Sequence, residues 1–576
     1  MNRVTVADKI VEFVAKFCSK KIFVLTGNGA MFLNDAIERS PELEYVCVRN
    51  EAVAPMAAAA ESQVTGIPGV ICVTAGPGST NAMSGVAEAW VDSAPILVIS
   101  GQVPSREVTN YGRSKVSNRS FGVAGVPTVS YVREFTKLAV SLEQPENLKE
   151  VLQETLFGLR HGRKGPIWLD VPLDIQSAKI DDFSLLDVEM EVGKKLQESQ
   201  QGELTMGELE LIQKILGQSG RPLLVLGRGI EEIRDQNELL DAIADSTLPI
   251  ALSRVVAYKF PLSLNANLGV LGVRGRPWSK EILNSTDLII SLGCRLPSSI
   301  VGPNYSYLDS QCKIVMIDLD KDELDRHGSR VELGINRSIS NLPYILRQLS
   351  SQVTGIQDEW FEKCQLAKNL ASTEHLNQDP DQVFNLYWFM KELESFAPKN
   401  TVLTTDAGSN YYAGGQAVEF SRFSMEITSG TYAAMGLSIP LAIGSAFESK
   451  TKGGIVFCVT GDGSIELNIQ ELQTLSIYNL PIKIFVINNG GYASMRAWQE
   501  TYFDSRYIGS TDETGAKPLN FEKIAYAFDL PYERISCPRE LPEKMQTILK
   551  TPNPQIIEVI CDSNQKLMLP MQIDLI

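Results

Sequence analysis

The chain reads as an α/β protein built from three doubly wound parallel-sheet domains. Apolar strand-like runs alternate with helix-like stretches from end to end, and two polar, charged stretches divide the alternation into three series. Length agrees, since 576 residues exceed what one hydrophobic core organises.

In the first series "KIFVLT", "EYVCVRN", "GVICVTAG", "PILVISG" and "GPIWLDVP" are short and apolar enough to be buried strands, and the Ala-rich "APMAAAAES" is a helix between them. After Asp174 the chain turns polar ("KKLQESQQGELTMGE"), which predicts a linker and a first domain over residues 1–178. Strands at "RPLLVLG", "LPIAL", "DLIISLG" and "KIVMIDLD" follow, in a second domain over 195–350. A charged, irregular stretch at 351–382 separates it from "NTVLTTDAG", "GGIVFCVTG", "PIKIFVINN" and "PQIIEVIC", the strands of a third domain over 375–576.

A net charge of -16 argues against nucleic acid or anionic membrane as a partner. No apolar run reaches membrane-spanning length. The start is an amphipathic helix pattern interrupted by Asp8, Lys9, Glu12 and Lys16, unlike a signal peptide. Nine cysteines form no CxxC pair, and several (Cys47, Cys72, Cys294, Cys458, Cys561) fall in or beside apolar runs. Reduced core thiols and a cytoplasmic protein are the expectation.

In open α/β sheets, ligands bind at the carboxyl ends of the strands. "GIVFCVT" delivers Asp462 to that edge between Gly461 and Gly463, and "IKIFVI" delivers Asn488 and Asn489. The intervening "ELNIQELQTLSIYN" is long enough for a right-handed crossover helix, so the acid and the amides become neighbours. A carboxylate from Asp462, an amide oxygen from Asn489 and a carbonyl near Gly491 make an all-oxygen Mg²⁺ site with places left for phosphate. Gly463 and Ser464 open the helix, whose N–H groups favour the same phosphate. Either motif alone also reads as a turn.

The pair at this spacing resembles the GDG…NN signature of thiamine diphosphate enzymes. "RNEAVA…GVICVTAGPGSTNAMSGVAEAWVDSAPILVISGQVP" and "GPIWLDVPLDIQ" resemble the acetolactate synthase and pyruvate oxidase branch of that superfamily. The likeness runs in order over nearly the whole chain.

The resemblance implies a thiamine diphosphate- and Mg²⁺-dependent carboligase that decarboxylates pyruvate and passes the acyl carbanion to a carbonyl acceptor. It implies that Glu51, at a strand end and a helix start, exchanges protons with the cofactor's pyrimidine ring, although a helix-start Glu favoured by the macrodipole reads the same way. Gly408, Ser409, Asn410 and Tyr492 match diphosphate contacts, and Met435 matches the residue that wedges the cofactor, or is plain core. Gly227, Gly229, Gly272, Arg274, Gly275, Gly293, Arg295 and Asp318 match flavin-contacting loops, implying bound FAD, with an empty vestigial fold as the alternative. Active sites at the interface of a homodimer or homotetramer are also implied.

Trp498 aligns with a tryptophan that selects the second keto acid, and Phe121 with a first-domain catalytic position. The chain departs from the pattern elsewhere. Pro297, Ser298 and Ser299 stand where an Arg grips the second substrate's carboxylate, and Ala124 and Gly125 replace a Gln-Glu pair. Acetyl transfer to a keto-sugar nucleotide or aldehyde is therefore an alternative, as is a non-ligating decarboxylase or oxidase. Arg496 and Arg506 read as phosphate contacts or solvated surface. The histidines (His161, His327, His375) form no pair of the kind the simple decarboxylases carry. A non-catalytic regulatory relative has no need of Glu51, Asp462 and Asn489 together.

Overall fold

Three six-stranded sheets, all of their strand pairs parallel, organise the chain. The computed structural model describes residues 3–108, 119–199, 201–233, 235–272, 275–353, 355–370 and 376–566. Arg274 and His375 lie outside the described residues.

Across the first sheet the strands run Glu44–Cys47, Lys21–Val24, Gly69–Val73, Ile96–Gln102, Ile167–Pro172 and Leu138–Ser141. The third repeats that order with Met425–Ile427, Val402–Thr405, Val456–Gly461, Ile482–Asn488, Gln555–Ile560 and Tyr532–Ile535. The middle sheet runs Asn267–Val270, Ile250–Leu252, Pro222–Leu226, Leu288–Leu292, Lys313–Asp318 and Val331–Asn336, the dinucleotide-fold order. Central strands such as Gly69–Val73 and Leu288–Leu292 are buried at every residue, as helices on both faces of a parallel sheet require. Arg3–Thr5 pairs antiparallel with Lys179–Asp181, closing the first domain on itself.

The first and third domains share one hydrophobic core. Helices Val53–Thr65 and Ser438–Thr451 meet there through small residues. A Cβ on Gly444 would lie 2.0 Å from the Ala57 carbonyl oxygen, so glycine permits the approach. A buried ion pair, Arg254 with Glu426, joins the middle and third domains, and Arg276 adds a 2.7 Å bond to the Gln416 carbonyl. Arg163 joins the first domain to the middle one through Asp320 and Glu323, both at 2.8 Å.

Both stretches read as linkers are partly helical. Helix Leu185–Ser199 runs through the first, and helix Met206–Leu216 starts at a Thr205–Glu208 capping box. The second contains helix Gly355–Leu370. Trp360, Cys364 and Ala367 recur there at helical spacing and pack into a middle-domain core. All nine cysteines are free thiols, seven of them buried. Among the described residues no helix is long and apolar enough to cross a membrane.

Candidate cofactor site

Strands Val456–Gly461 and Ile482–Asn488 are paired neighbours, so their exits lie side by side. The Asp462 carboxylate closes the gap between them. Its Oδ2 accepts the N–H of Asn489 at 3.1 Å and of Gly491 at 2.8 Å, and Oδ1 accepts that of Gly463 at 2.8 Å. The exit loop turns through Gly490 and Gly491, whose φ values of 78° and 102° suit glycine. A Cβ on Gly463 would sit 2.2 Å from the Tyr492 ring, which covers it.

Burial pushes the Asp462 carboxyl up to about 6, although its three backbone donors and Arg496 pull the other way. A buried carboxylate of this kind is suited to a hard divalent cation. Asp462 with Asn489 and Gly491 could supply oxygen ligands, although the Gly491 carbonyl already accepts the Ala493 N–H at 2.9 Å. Among the described residues no cluster of three or more His, Cys, Asp or Glu side chains offers a competing metal site.

The crossover between the two exits departs from a continuous α-helix. Residues Ile465–Glu471 form a 3₁₀ segment that breaks at Asn468 before helix Leu472–Tyr478. The Asn468 amide donates to the Gly436 carbonyl at 2.9 Å, so the break serves the neighbouring loop. Helix Ser409–Ala417 offers the better anion site. Gly408 precedes it at φ 83°, and Ser409 and Asn410 lie in its first turn.

Asp406, which the sequence reading passed over, ties these loops together. It is buried, its Oδ1 accepts the N–H groups of Ala407 at 2.8 Å and Gly436 at 3.0 Å, and its Oδ2 accepts the hydroxyls of Ser438 at 2.9 Å and Thr460 at 3.0 Å. One carboxylate thus links the Gly408 loop, the turn after Met435 and the strand leading to Asp462. Met435 is 37% exposed, between Ala433 and Gly436, both at positive φ. Only the Asp-Ala-Gly spacing at the strand end could have signalled Asp406, because its partners other than Ala407 lie 30 to 54 residues along the chain.

Glu51 sits between strand Glu44–Cys47 and helix Val53–Thr65. It is 8% exposed and accepts the Asn81 amide at 3.0 Å. A Cβ on Gly78 would lie 3.5 Å from its Oε1. Nearby, Ala124 at φ 67° abuts Gly76, and Phe121 on the same loop is 72% exposed.

Five of the middle-domain residues gather at one cavity of about 1420 Å³, larger than the roughly 300–1,000 Å³ usual for small ligands, while Gly272 and Gly275 stand outside its lining. Gly227, Gly229, Gly293, Arg295 and Asp318 line it, with Gly408 and Trp498 from the third domain. The glycines permit crossing loops: a Cβ on Gly227 would lie 2.3 Å from the Gly293 carbonyl oxygen, and one on Gly272 would lie 2.0 Å from that of Ser299. Gly275 packs under the Val270 carbonyl. Among the described residues Arg228 Nε, Ser253 Oγ and Asn341 Oδ1, all on lining residues, are buried without a hydrogen-bond partner, as expected of groups that meet a polar ligand. The size and these groups fit a dinucleotide. Burial raises the Asp318 carboxyl to about 6, and the Arg295 guanidinium donates to Thr431 at 2.7 Å.

The arginines beside Trp498 are otherwise engaged. Arg496 donates to the carbonyls of Asn489 (2.7 Å), Gly490 (2.8 Å), Ser563 (3.0 Å) and Ser510 (3.1 Å), and Arg506 pairs with Asp504. Trp498 itself is 43% exposed and stacks on Tyr502.

Comparison with known proteins matches three family models in order. They are the N-terminal TPP binding domain of thiamine pyrophosphate enzymes at residues 4–124, the central domain at 209–344 and the C-terminal TPP binding domain at 406–559. Acetolactate synthase 2, chloroplastic, of Nicotiana tabacum is 27% identical over 98% of this chain and 83% of its own length. The probable acetolactate synthase large subunit of Methanocaldococcus jannaschii is 26% identical over 97% and 92%. The chloroplastic acetolactate synthase of Arabidopsis thaliana is 26% identical over 98% and 82%. With the sheets, the paired strand exits and these matches in agreement, the chain belongs to the thiamine pyrophosphate enzyme family.

Proposed function

We propose that the protein decarboxylates pyruvate with thiamine diphosphate and Mg²⁺ and transfers the two-carbon unit to a carbonyl acceptor. The observation that carries this is the Asp462 carboxylate bonded to both Asn489 and Gly491, which unites the two halves of the clamp in a chain of this family. Thiamine diphosphate, when bound, supplies the carbanion chemistry. Asp462, Asn489 and Gly491 would hold the metal, and the first turn of Ser409–Ala417 would offer N–H groups to a diphosphate. Glu51, steadied by Asn81, holds or releases a proton at the pyrimidine ring. Met435, exposed beside these loops, would pack against the cofactor's ring system. Gly227, Gly229, Gly293, Arg295 and Asp318, which line the middle-domain cavity, would hold FAD.

A specific observation favours an acceptor without a carboxylate. Ser298 and Ser299 are exposed where an acid-gripping Arg is expected, and Arg496 is committed to backbone carbonyls. Hydroxyls suit an aldehyde or a keto-sugar better than a second keto acid, which calls for a bidentate cation. An NMR time course with pyruvate, thiamine diphosphate and Mg²⁺ tests both readings. Pyruvate consumed only when an aldehyde or keto-sugar is added supports the neutral acceptor. Acetolactate from pyruvate alone restores the synthase reaction, and no consumption under any condition refutes the function.

A further inference from the structure

The segment between the two halves of the clamp reaches into the first domain. Glu471 stands where the 3₁₀ segment Ile465–Glu471 gives way to helix Leu472–Tyr478, and it is fully buried. Its Oε1 accepts the N–H of Arg49 at 2.8 Å and of Asn50 at 3.0 Å, while Oε2 accepts the Thr474 hydroxyl at 2.7 Å. From the end of the same helix, the Tyr478 hydroxyl accepts the Cys47 N–H at 2.8 Å.

These are the peptide groups that lead to Glu51. Strand Glu44–Cys47 is an edge of the first sheet, with no strand among the described residues beyond it to take outward N–H groups. The third domain supplies acceptors instead, at Cys47, Arg49 and Asn50. The Asn50 side chain then accepts the Ala52 N–H at 2.9 Å, so the backbone is held on both sides of Glu51. A buried carboxylate is a costly acceptor unless its lone pairs are well used, and here both oxygens are.

We propose that Glu471 is a positioning residue for Glu51: its carboxylate fixes the turn from which Glu51 projects and ties that turn to the crossover beginning at Asp462. This rests on the reading of Glu51 as the proton-exchanging acid. The crossover thereby serves two sites, carrying the metal clamp at its ends and orienting the pyrimidine acid from its middle.

The test uses full-length enzyme with thiamine diphosphate and Mg²⁺, assayed by pyruvate consumption with whichever acceptor supports turnover. Glu471→Asp withdraws the carboxylate by one methylene. The expected loss is on the order of 10²-fold in kcat, the cost of misplacing a catalytic group by about 1 Å, at unchanged KM and cofactor content. Amide hydrogen exchange at residues 48–52 accelerates while the Asp462 loop keeps its protection. Glu471→Gln, which retains an oxygen acceptor, recovers most of the loss. In a Glu51→Gln background, Glu471→Asp costs nothing further, because the two residues act as one unit.

Wild-type kcat in Glu471→Asp beside an inactive Glu51→Gln overturns the positioning role alone, and so do losses that multiply in the double variant. Wild-type turnover in Glu51→Gln removes the reading beneath the proposal and overturns both. If Glu471→Asp does not fold, Tyr478→Phe carries the test: a smaller kcat loss at unchanged cofactor content supports the proposal, and wild-type kcat overturns it.

Discussion

The first and third sheets share one strand order and diverge at the carboxyl ends of their strands. Leaving its first strand, the third sheet presents Asp406, and the first sheet presents Leu25. After the third strand come Asp462 and Thr74, and after the fourth Asn489 and Val103, respectively. Only after the second strand does the first sheet carry the acid, Glu51, opposite the Ser429–Met435 loop of the third. The holding groups differ in kind. Thr74 fixes the Gly29 N–H with a hydroxyl at 3.0 Å, whereas Asp406 and Asp462 fix their loops with carboxylates. A hydroxyl that accepts an N–H is satisfied. A buried carboxylate still attracts a cation, so of these two sheets only the third places carboxylates at its first and third strand exits, where a cation could be held.

The contrast breaks first at its two acids. Glu51→Gln is expected to lower turnover by about 10²–10⁴-fold, the range for a general acid–base group, with thiamine diphosphate and Mg²⁺ still bound after gel filtration. Loss of bound cofactor in that variant would erase the division of labour between the domains. Asp462→Ala is expected to do the reverse and release both, weakening Mg²⁺ binding by at least about 10-fold in a titration followed by metal content. Undiminished retention would mean that the clamp is held by something other than this carboxylate.

A smaller effect tests the contact between the two domains. Gly444→Ala forces a methyl against the Ala57 carbonyl and should destabilise the protein by about 1–3 kcal/mol, read as a lower denaturation midpoint. An unchanged midpoint would show that the helices can part without cost.

Asp170 is buried in the first sheet, where desolvation pushes its carboxyl up to about 7 against hydrogen bonds from Ser100 and Gln102. Its folded pKa lies above the unfolded value of about 4, so the stability it contributes is complete below about pH 4 and drains as the pH rises through 7. Asp170→Asn should therefore gain on the wild type in melting temperature between pH 4 and 7. A constant difference over that range would refute the shift.

Thirteen of the eighteen strands in the three sheets were legible as apolar runs, and the five that were not (Leu138–Ser141, Asn267–Val270, Val331–Asn336, Met425–Ile427 and Tyr532–Ile535) are all sheet edges. An edge strand is covered on fewer sides, and Val331–Asn336 and Tyr532–Ile535 keep partly exposed residues that break the apolar pattern. At the site, Asp462 and Asn489 were legible because glycine turns and strand exits are local signals. Asp406 and Glu471 were not, because an acid in a strand exit or a crossover looks like any other until its partners arrive from distant segments.

Order along the chain was enough to settle the fold class and to bring Asp462 beside Asn489, because strand periodicity and a right-handed crossover leave few arrangements. Folding alone settled which buried carboxylate meets which N–H. Asp406 gathers three loops, and Glu471 spans from the third domain to Arg49 and Asn50 of the first. Such pairings join groups from tens to more than four hundred residues apart, and helix packing around Gly444 brings the first and third domains within reach of Glu471.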